Sequence, residues 1–293
     1  MEKNYAYITM ATSLDYLPGL MTMWLSLKNT GTKIPIYAML PRELVRSNPE
    51  YANRLAKNGI NLLEYTNSIQ LPQQLIDSNS HNGHLRFNHT FDKLLVFELT
   101  QFDKIVFIDA DMYVLHNLDH LFAFPHMSAV AAGLSYPGNQ DWEDLNSGLM
   151  VIQPQRNIVQ EFEKLIPDVI KQKSICGDQD VLQLYFSDWK QHPEKNMGEK
   201  YGVFAQYASY YESRLGYTYP SIRHTVDNPK TIAVIHFIGE NKPWMQHWSP
   251  LSVLKQELQL TLLRLIRKRN TTAVLLEYKH LVRKARKLLY AKS

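Results

Sequence analysis

The residues of this sequence best placed to do chemistry are Asp109 and Asp111, in the stretch Lys104-Ile-Val-Phe-Ile-Asp-Ala-Asp-Met-Tyr-Val-Leu115. Residues 105–108 form an apolar run that suits a strand buried on both faces. Unpaired carboxylates are costly inside such a strand, so the two aspartates belong at its end. At positions i and i+2 of an extended chain they point to the same side. Carboxylates so placed repel each other unless a cation sits between them, and a hard divalent metal prefers oxygen ligands. The metal's open positions would then hold an anion such as a substrate diphosphate. The competing reading has Asp109 capping a turn and Asp111 solvated. Spacing alone does not separate the two, because D-x-D triplets are common.

A second group lies near the end of a late apolar run, residues 231–237, which reads as a strand. It carries His236, and the following loop, residues 239–244, holds Gly239 and Lys242. Glycine lets the backbone approach a phosphate closely, and lysine supplies charge. Two aspartates and one imidazole make a mixed oxygen–nitrogen set, which favours Mn²⁺ over Mg²⁺. Asp178, in Gly177-Asp178-Gln179-Asp180, reads as the N-terminal cap of a helix over residues 181–186. His81, His84 and His89 fall in a polar, irregular stretch, residues 71–89. Their spacing fits no zinc pattern, so a solvated loop is expected.

The elements that must position these groups follow from the apolar pattern. Strands are expected at residues 5–12, 34–40 and 60–65, with helices at 20–27 and, opened by Pro41, at 41–57. That rhythm implies βαβ units and a mostly parallel central sheet flanked by helices, an α/β fold. Ligands bind such sheets at the carboxyl ends of the strands. Residues 9–12 and the aspartate pair both fall there, so one cleft is expected to hold both. A helix is expected at 91–99 and a short one at 117–122. A strand at 129–133, a polar corner at Asn146-Ser147-Gly148 feeding a strand to Ile152, and a helix at 159–171 follow. Six tyrosines between residues 201 and 219 read as packing, with stacking against a sugar face as the alternative. From about residue 249 the chain reads as helical, giving a catalytic domain over 1–250 and a basic amphipathic helical extension over 251–293.

Composition sets the class. The chain has 293 residues, 45% hydrophobic and 20% charged, which is enough for a sizeable core. No apolar run approaches the roughly 18 residues that span a membrane. A single cysteine, Cys176, and an N-terminus without a long apolar run point to a cytoplasmic protein. The net charge of +4 hides an asymmetry: residues 264–293 hold ten Lys/Arg against one acid, so that tail carries +9 and the rest −5. Val274, Tyr278, Leu281, Ala285 and Leu288 recur at helical spacing in it, beside basic residues. This resembles an interfacial helix for an anionic membrane surface, and so suggests a peripheral position at the inner face of the membrane. The alternatives are packing on the protein's own domain or a dimer contact. No aromatic interleaving accompanies the charge, so nucleic acid is not an expected partner.

Six stretches in order, YITMAT, DKLLVFEL, FDKIVFIDADMYVLHNLDHLF, LNSGLMVI, GDQDVL and HFIGENKPW, resemble the family 8 retaining glycosyltransferases. That family includes glycogenin and bacterial lipopolysaccharide galactosyl- and glucosyltransferases. The resemblance implies a GT-A fold, with a Rossmann-like sheet binding a UDP-sugar donor. It implies Mn²⁺ on Asp109, Asp111 and His236, and a donor-binding set around it. In that set Thr9, Ala11, Thr12 and Tyr16 face uridine, Ala110 lies between the metal ligands, and Lys93 meets donor phosphate or sugar. Asn146 and Ser147 line the sugar, while Gly239 and Lys242 neutralise the leaving diphosphate. Asp178 would hold sugar hydroxyls and Gln179 would sit near the anomeric carbon. The implied activity is hexose transfer, glucose or galactose, to a glycan or lipid-linked saccharide acceptor. The alternatives are a glycogenin-like self-glucosylating primer and a catalytically silent nucleotide-sugar-binding protein. Three features depart from glycogenin: Ile175 replaces an acidic residue, Asp92 replaces a hydroxyl residue, and the segment after Tyr201 does not align.

Overall fold

The structure, a computed structural model, describes residues 3–83, 87–173, 175–221 and 227–291. The first half alternates as the apolar pattern requires: β1 (Tyr5–Met10), α1 (Leu17–Asn29), β2 (Ile36–Pro41), α2 (Arg42–Ser47), α3 (Pro49–Lys57) and β3 (Asn61–Tyr65). The single helix expected over residues 41–57 is two. Pro49 disfavours helical backbone at Asn48, which sits at φ −141°, ψ 58°. The stretch 71–89, expected to be irregular, contains α4 (Gln73–His81) and α5 (Phe87–Thr90). Its anchor is polar as well as apolar: buried Asn79 donates to Asn88 Oδ1 at 2.8 Å and to the Cys176 carbonyl at 3.1 Å.

Next come a 3-10 helix, Phe91–Glu98, then β4 (Lys104–Ile108), β5 (Met112–Val114), β6 (Ser128–Val130) and β7 (Asn146–Ile152). The chain continues through α6 (Ile158–Gln172), α7 (Asp178–Tyr185), β8 (Val203–Phe204), α8 (Ala208–Leu215) and β9 (Val234–His236). It ends in α9 (Pro250–Leu265) and α10 (Thr271–Tyr290). The main sheet has strand order β3-β2-β1-β4-β7-β6. Its first four strands are parallel, while β7 runs antiparallel to β4 and β6 antiparallel to β7. A second sheet, β5-β9-β8, stands apart from it.

Alternate residues of β4 feed two cores. Val106 and Ile108 face α1 and α10, while Ile105 and Phe107 face α6, α7 and the 91–98 segment. All four are fully buried, as expected of a strand covered on both faces. α1 is buried from Leu17 to Leu27, so its hydroxyls bond inward. Thr22 donates to the Pro18 carbonyl, and Ser26 Oγ accepts the Val114 N–H at 3.1 Å.

The basic tail departs from expectation. The face of α10 proposed for a membrane, Val274, Tyr278, Leu281 and Ala285, is buried in the same core as α1. Leu288 is partly buried against that core. Tyr278 stacks on Phe237 with ring centroids 4.1 Å apart and packs against Tyr113. An amphipathic period demands an apolar neighbour, and here the neighbour is protein. None of the described helices is long and apolar enough to cross a membrane.

Candidate active site

The two aspartates sit where the sheets part. β4 ends at Ile108 in the main sheet, and β5 begins at Met112 in the second. Residues 109–111 form the step between them, closed by a bond from the Met112 N–H to the Asp109 carbonyl at 3.1 Å. The pair therefore lies on a turn and not on the pleat of one strand. Asp109 is tied to the main sheet through its N–H to the Gly148 carbonyl, 2.8 Å. Asp111 is tied to the second: its carbonyl accepts the Phe237 N–H at 2.9 Å, and Met112 pairs with His236. One ligand atom from each of Asp109, Asp111 and His236 lies within 4.8 Å of the others.

Charge balance explains why these groups are stable here. Lys93 Nζ lies 3.0 Å from Asp109 Oδ1 and 3.0 Å from Asp178 Oδ2, and it also donates to Ser147 Oγ at 3.2 Å. Burial alone would lower its pKa, but the two carboxylates outweigh burial and raise it. Burial pushes the Asp109 carboxyl up to about 6, against the pull of Lys93 and with the repulsion of Asp111. Asp111 goes the other way: burial would raise it, but His236 and Lys242 together hold it well below the usual carboxylate range. Lys242 Nζ is 2.6 Å from Asp111 Oδ2 and donates to the Phe237 carbonyl at 2.8 Å.

The donor set fits a divalent cation. Asp111 Oδ1 and His236 Nδ1 are buried without a hydrogen-bond partner, although Oδ1 lies 3.2 Å from His236 Nε2. Buried polar atoms normally find partners, so this is an unmet demand at the point where three ligands converge. Gly148 makes room for it. A Cβ there would lie 2.6 Å from Met112 Cε and 2.8 Å from His236 Cε1. Among the described residues, no metal-ligating cluster includes His81 or His89, and His84 lies outside the described residues.

A cleft of about 610 Å³ opens over these groups, a size common for small-molecule sites. Asp178 is not the cap expected from its position. Gly177 takes that place, with its N–H bonded to Asp180 Oδ2 at 2.8 Å. Asp178 is thereby free to face inward, where Ser147 Oγ donates to it at 2.7 Å. Gln179 Oε1 accepts from Asn146 Nδ2 at 3.0 Å and from the Ser147 N–H at 3.2 Å. The backbone donor identifies that atom as the amide oxygen.

The sequence model of "Glycosyl transferase family 8" matches residues 7–247, most of the chain. This protein belongs to glycosyl transferase family 8. It is 30% identical to Glycogenin-1 of Caenorhabditis elegans over 252 residues, covering 82% of this chain and 50% of that one. It is also 30% identical to Glycogenin-1 of Mus musculus, covering 84% and 67%. A putative UDP-glucuronate:xylan alpha-glucuronosyltransferase 3 of Arabidopsis thaliana is 28% identical, covering 83% and 35%. The chain thus spans half of the worm protein and about a third of the plant one. Among solved structures, the galactosyltransferase LgtC with donor and acceptor sugar analogs superposes with a TM-score of 0.53 at 16% identity. That match covers 84% of this chain and 91% of LgtC, and it shows the GT-A fold.

In this family 8 protein, Ala11, Thr12, Tyr16, Lys93, Asp109, Ala110, Asp111, Asn146, Ser147, Asp178, Gln179, His236, Gly239 and Lys242 all line the one cleft. Thr9 does not. It is fully buried in β1, with Oγ1 lacking a partner. The loop after His236 is latched by Trp244, whose Nε1 donates to the Asp15 carbonyl at 2.8 Å and whose ring packs edge-on to Tyr16. Gly239 sits at φ 93°, a left-handed conformation that suits glycine. Asp92 does not line the cleft: its carboxylate accepts from Tyr65, Ser68 and the Ile69 N–H. Sequence reasoning missed His89, Thr90, Trp142 and Lys173 as lining residues. Trp142, with Nε1 buried and unpartnered, had a signal: an indole set in the polar loop ahead of β7. Of the six tyrosines, Tyr201, Tyr211 and Tyr219 are buried, and Tyr207 stacks on Tyr136 with centroids 3.7 Å apart.

Proposed function

We propose that this chain is a UDP-hexose-dependent hexosyltransferase acting with retention. It would move glucose or galactose to a hydroxyl of a glycan or lipid-linked saccharide, with an anionic membrane as a further partner for lipid-linked acceptors. The observation that carries the reading is the convergence of Asp109, Asp111 and His236 in a cleft also lined by buried Lys242 and Lys93. The oxygen–nitrogen set favours Mn²⁺ over Mg²⁺. A bound divalent cation would offset charge building on the leaving diphosphate.

The chain's own residues supply the rest. Lys242, now held on Asp111, would add a positive charge beside the β-phosphate oxygen as the C1–O bond breaks. Asp178 and Asn146 would hold sugar hydroxyls, which fixes the face of the ring that is attacked. Gln179 is a weak nucleophile, and its amide oxygen already accepts two hydrogen bonds. That supports attack by the acceptor hydroxyl on the face the diphosphate leaves, with the hydroxyl proton passing to the departing phosphate oxygen. The paired carboxylates Asp109 and Asp111 share one metal-sized cluster and do not flank a scissile bond as a hydrolase would require.

The test is a panel of UDP-sugars with Mn²⁺, reading UDP release and the anomer formed by NMR. Retained product from UDP-glucose or UDP-galactose supports the reading. Inverted product, or no release from any donor, sinks it. The match to two glycogenins favours a second reading, a self-glucosylating primer. Intact-mass spectrometry after incubation with UDP-glucose and Mn²⁺ separates the two, because only a primer gains hexose units.

A further inference from the structure

α9 has two faces of opposite character. Its inner face packs on α10 through Leu260, with Gln256 and Glu257 bonded to Arg283 and Glu257 also to His280. Its outer face carries Leu251, Leu254, Leu258, Leu262 and Leu265, each 55–75% exposed, and Ile266 continues the row at 59%. Steps of three and four residues place them on one stripe. Among the described residues, nine large hydrophobic side chains are exposed and six of them are in this row. Single exposed apolar residues are ordinary, but a contiguous patch marks a contact surface.

Charge indicates the occupant. The exposed polar residues beside the stripe are Lys255, Gln259 and Thr261, and the turn after α9 exposes Arg267 and Lys268, while Arg264 and Arg269 pair with Glu277 of α10. The helix's one acid, Glu257, is engaged on the inner face. A second copy docked on the stripe would bring basic edges together with no α9 acid to meet them. An anionic surface complements both the leucines and the basic turn. We infer that the outer face of α9, with the turn at residues 267–269, docks on an anionic lipid surface. The helix lies flat there, with its leucines in the boundary between headgroups and acyl chains. This assigns membrane contact to α9 and not to α10, whose apolar face is already covered by α1.

The docked helix is coupled to the active site through α10, whose Arg283 holds Gln256 and Glu257 of α9. Arg286 donates to the Gln246 carbonyl at 3.2 Å, just beyond the Lys242 loop, and Tyr278 stacks on Phe237 beside His236. Docking would therefore hold the cleft at a set height above the membrane, as a lipid-linked acceptor requires. That consequence rests on the proposed transfer reaction, whereas vesicle binding does not.

Flotation of the full chain with vesicles of phosphatidylcholine, with and without phosphatidylglycerol, tests the inference. The wild type should float only with the anionic vesicles, and less at high salt. Leu254→Gln/Leu258→Gln/Leu262→Gln should cut the bound fraction about tenfold or more, with circular dichroism unchanged. Lys255→Gln/Arg267→Gln/Lys268→Gln should weaken binding and remove much of its salt sensitivity. Asp111→Asn should float as the wild type does, whatever its effect on turnover. Three results would overturn the inference: no flotation of the wild type, undiminished flotation of the leucine variant, or a wild-type dimer in sedimentation that the leucine variant abolishes.

Discussion

Replacing Lys93 by methionine separates the charge account of the cleft from a simple packing account. The side chain is 6% exposed and bridges Asp109 and Asp178, each 3.0 Å away. Methionine fills similar volume without the charge. Removing one partner from a buried ion pair costs about 3–5 kcal/mol, because the other charge is left unpaired. The low end applies here, since Asp109, already pushed up to about 6, can take a proton once Lys93 is gone. Unfolding entropy near 2.1 cal/mol/K per residue gives about 0.6 kcal/mol/K for 293 residues, so about 3 kcal/mol lowers Tm by about 5 °C. The decisive comparison is the double variant with Asp178→Asn, which removes one stranded carboxylate. It should melt about 2–5 °C above the sum of the single effects, a coupling of about 1–3 kcal/mol. Calorimetry at pH 7.5 reads both quantities. A drop under about 1 °C for Lys93→Met, or strict additivity in the double variant, would refute the reasoning.

Other parts of the structure predict as directly. Gly148→Ala drives a methyl against Met112 and the buried His236 ring, so it should cost about 1–3 kcal/mol and weaken Mn²⁺ binding at least about tenfold by calorimetric titration. Unchanged affinity would contradict the close packing. His126, pushed down to about 4 by burial with help from Lys195 and Lys104, takes up its proton more readily when unfolded. Its contribution is therefore complete above about pH 6.5 and is lost as pH falls toward 4, by at most about 3 kcal/mol. His126→Leu should flatten that part of the stability profile, and an unchanged slope would count against it. Ending the chain before Thr271 strips Val274, Tyr278 and Val282 from the core, so no soluble folded protein should be recovered. A cooperative melt from that truncation would show that α10 is dispensable.

How far the sequence revealed this depends on what is local. β1 to β3 and α1 announce themselves by apolar runs broken by turn residues, and the parallel sheet follows from their rhythm. The reversal of β7 and the separate sheet of β5, β8 and β9 do not. β5, β8 and β9 have only three, two and three residues, and the direction in which β7 pairs is not written in its own seven. α4 was hidden because its anchors are one leucine and a buried asparagine, not an apolar stripe. α10 was visible as amphipathic, but periodicity cannot tell a protein neighbour from a lipid one. In the cleft, side-chain type and spacing singled out Asp109, Asp111, His236 and Lys242. Resemblance was needed for Lys93, Asn146 and Ser147, whose roles depend on contacts 16 to 85 residues away in sequence. Asp178 was disguised by its helix-start position, since an aspartate there reads as a cap until Gly177 is seen in that place.

The central claim is that Asp109, Asp111 and His236 hold a divalent cation that anchors a diphosphate. Titration calorimetry of UDP, with and without Mn²⁺, on the wild type and Asp111→Asn tests it most directly. UDP binding to the wild type should strengthen at least about tenfold with Mn²⁺. In Asp111→Asn that enhancement disappears, while circular dichroism remains native. Equal UDP affinity with and without Mn²⁺ in the wild type, or an undiminished Mn²⁺ effect in Asp111→Asn, would contradict it.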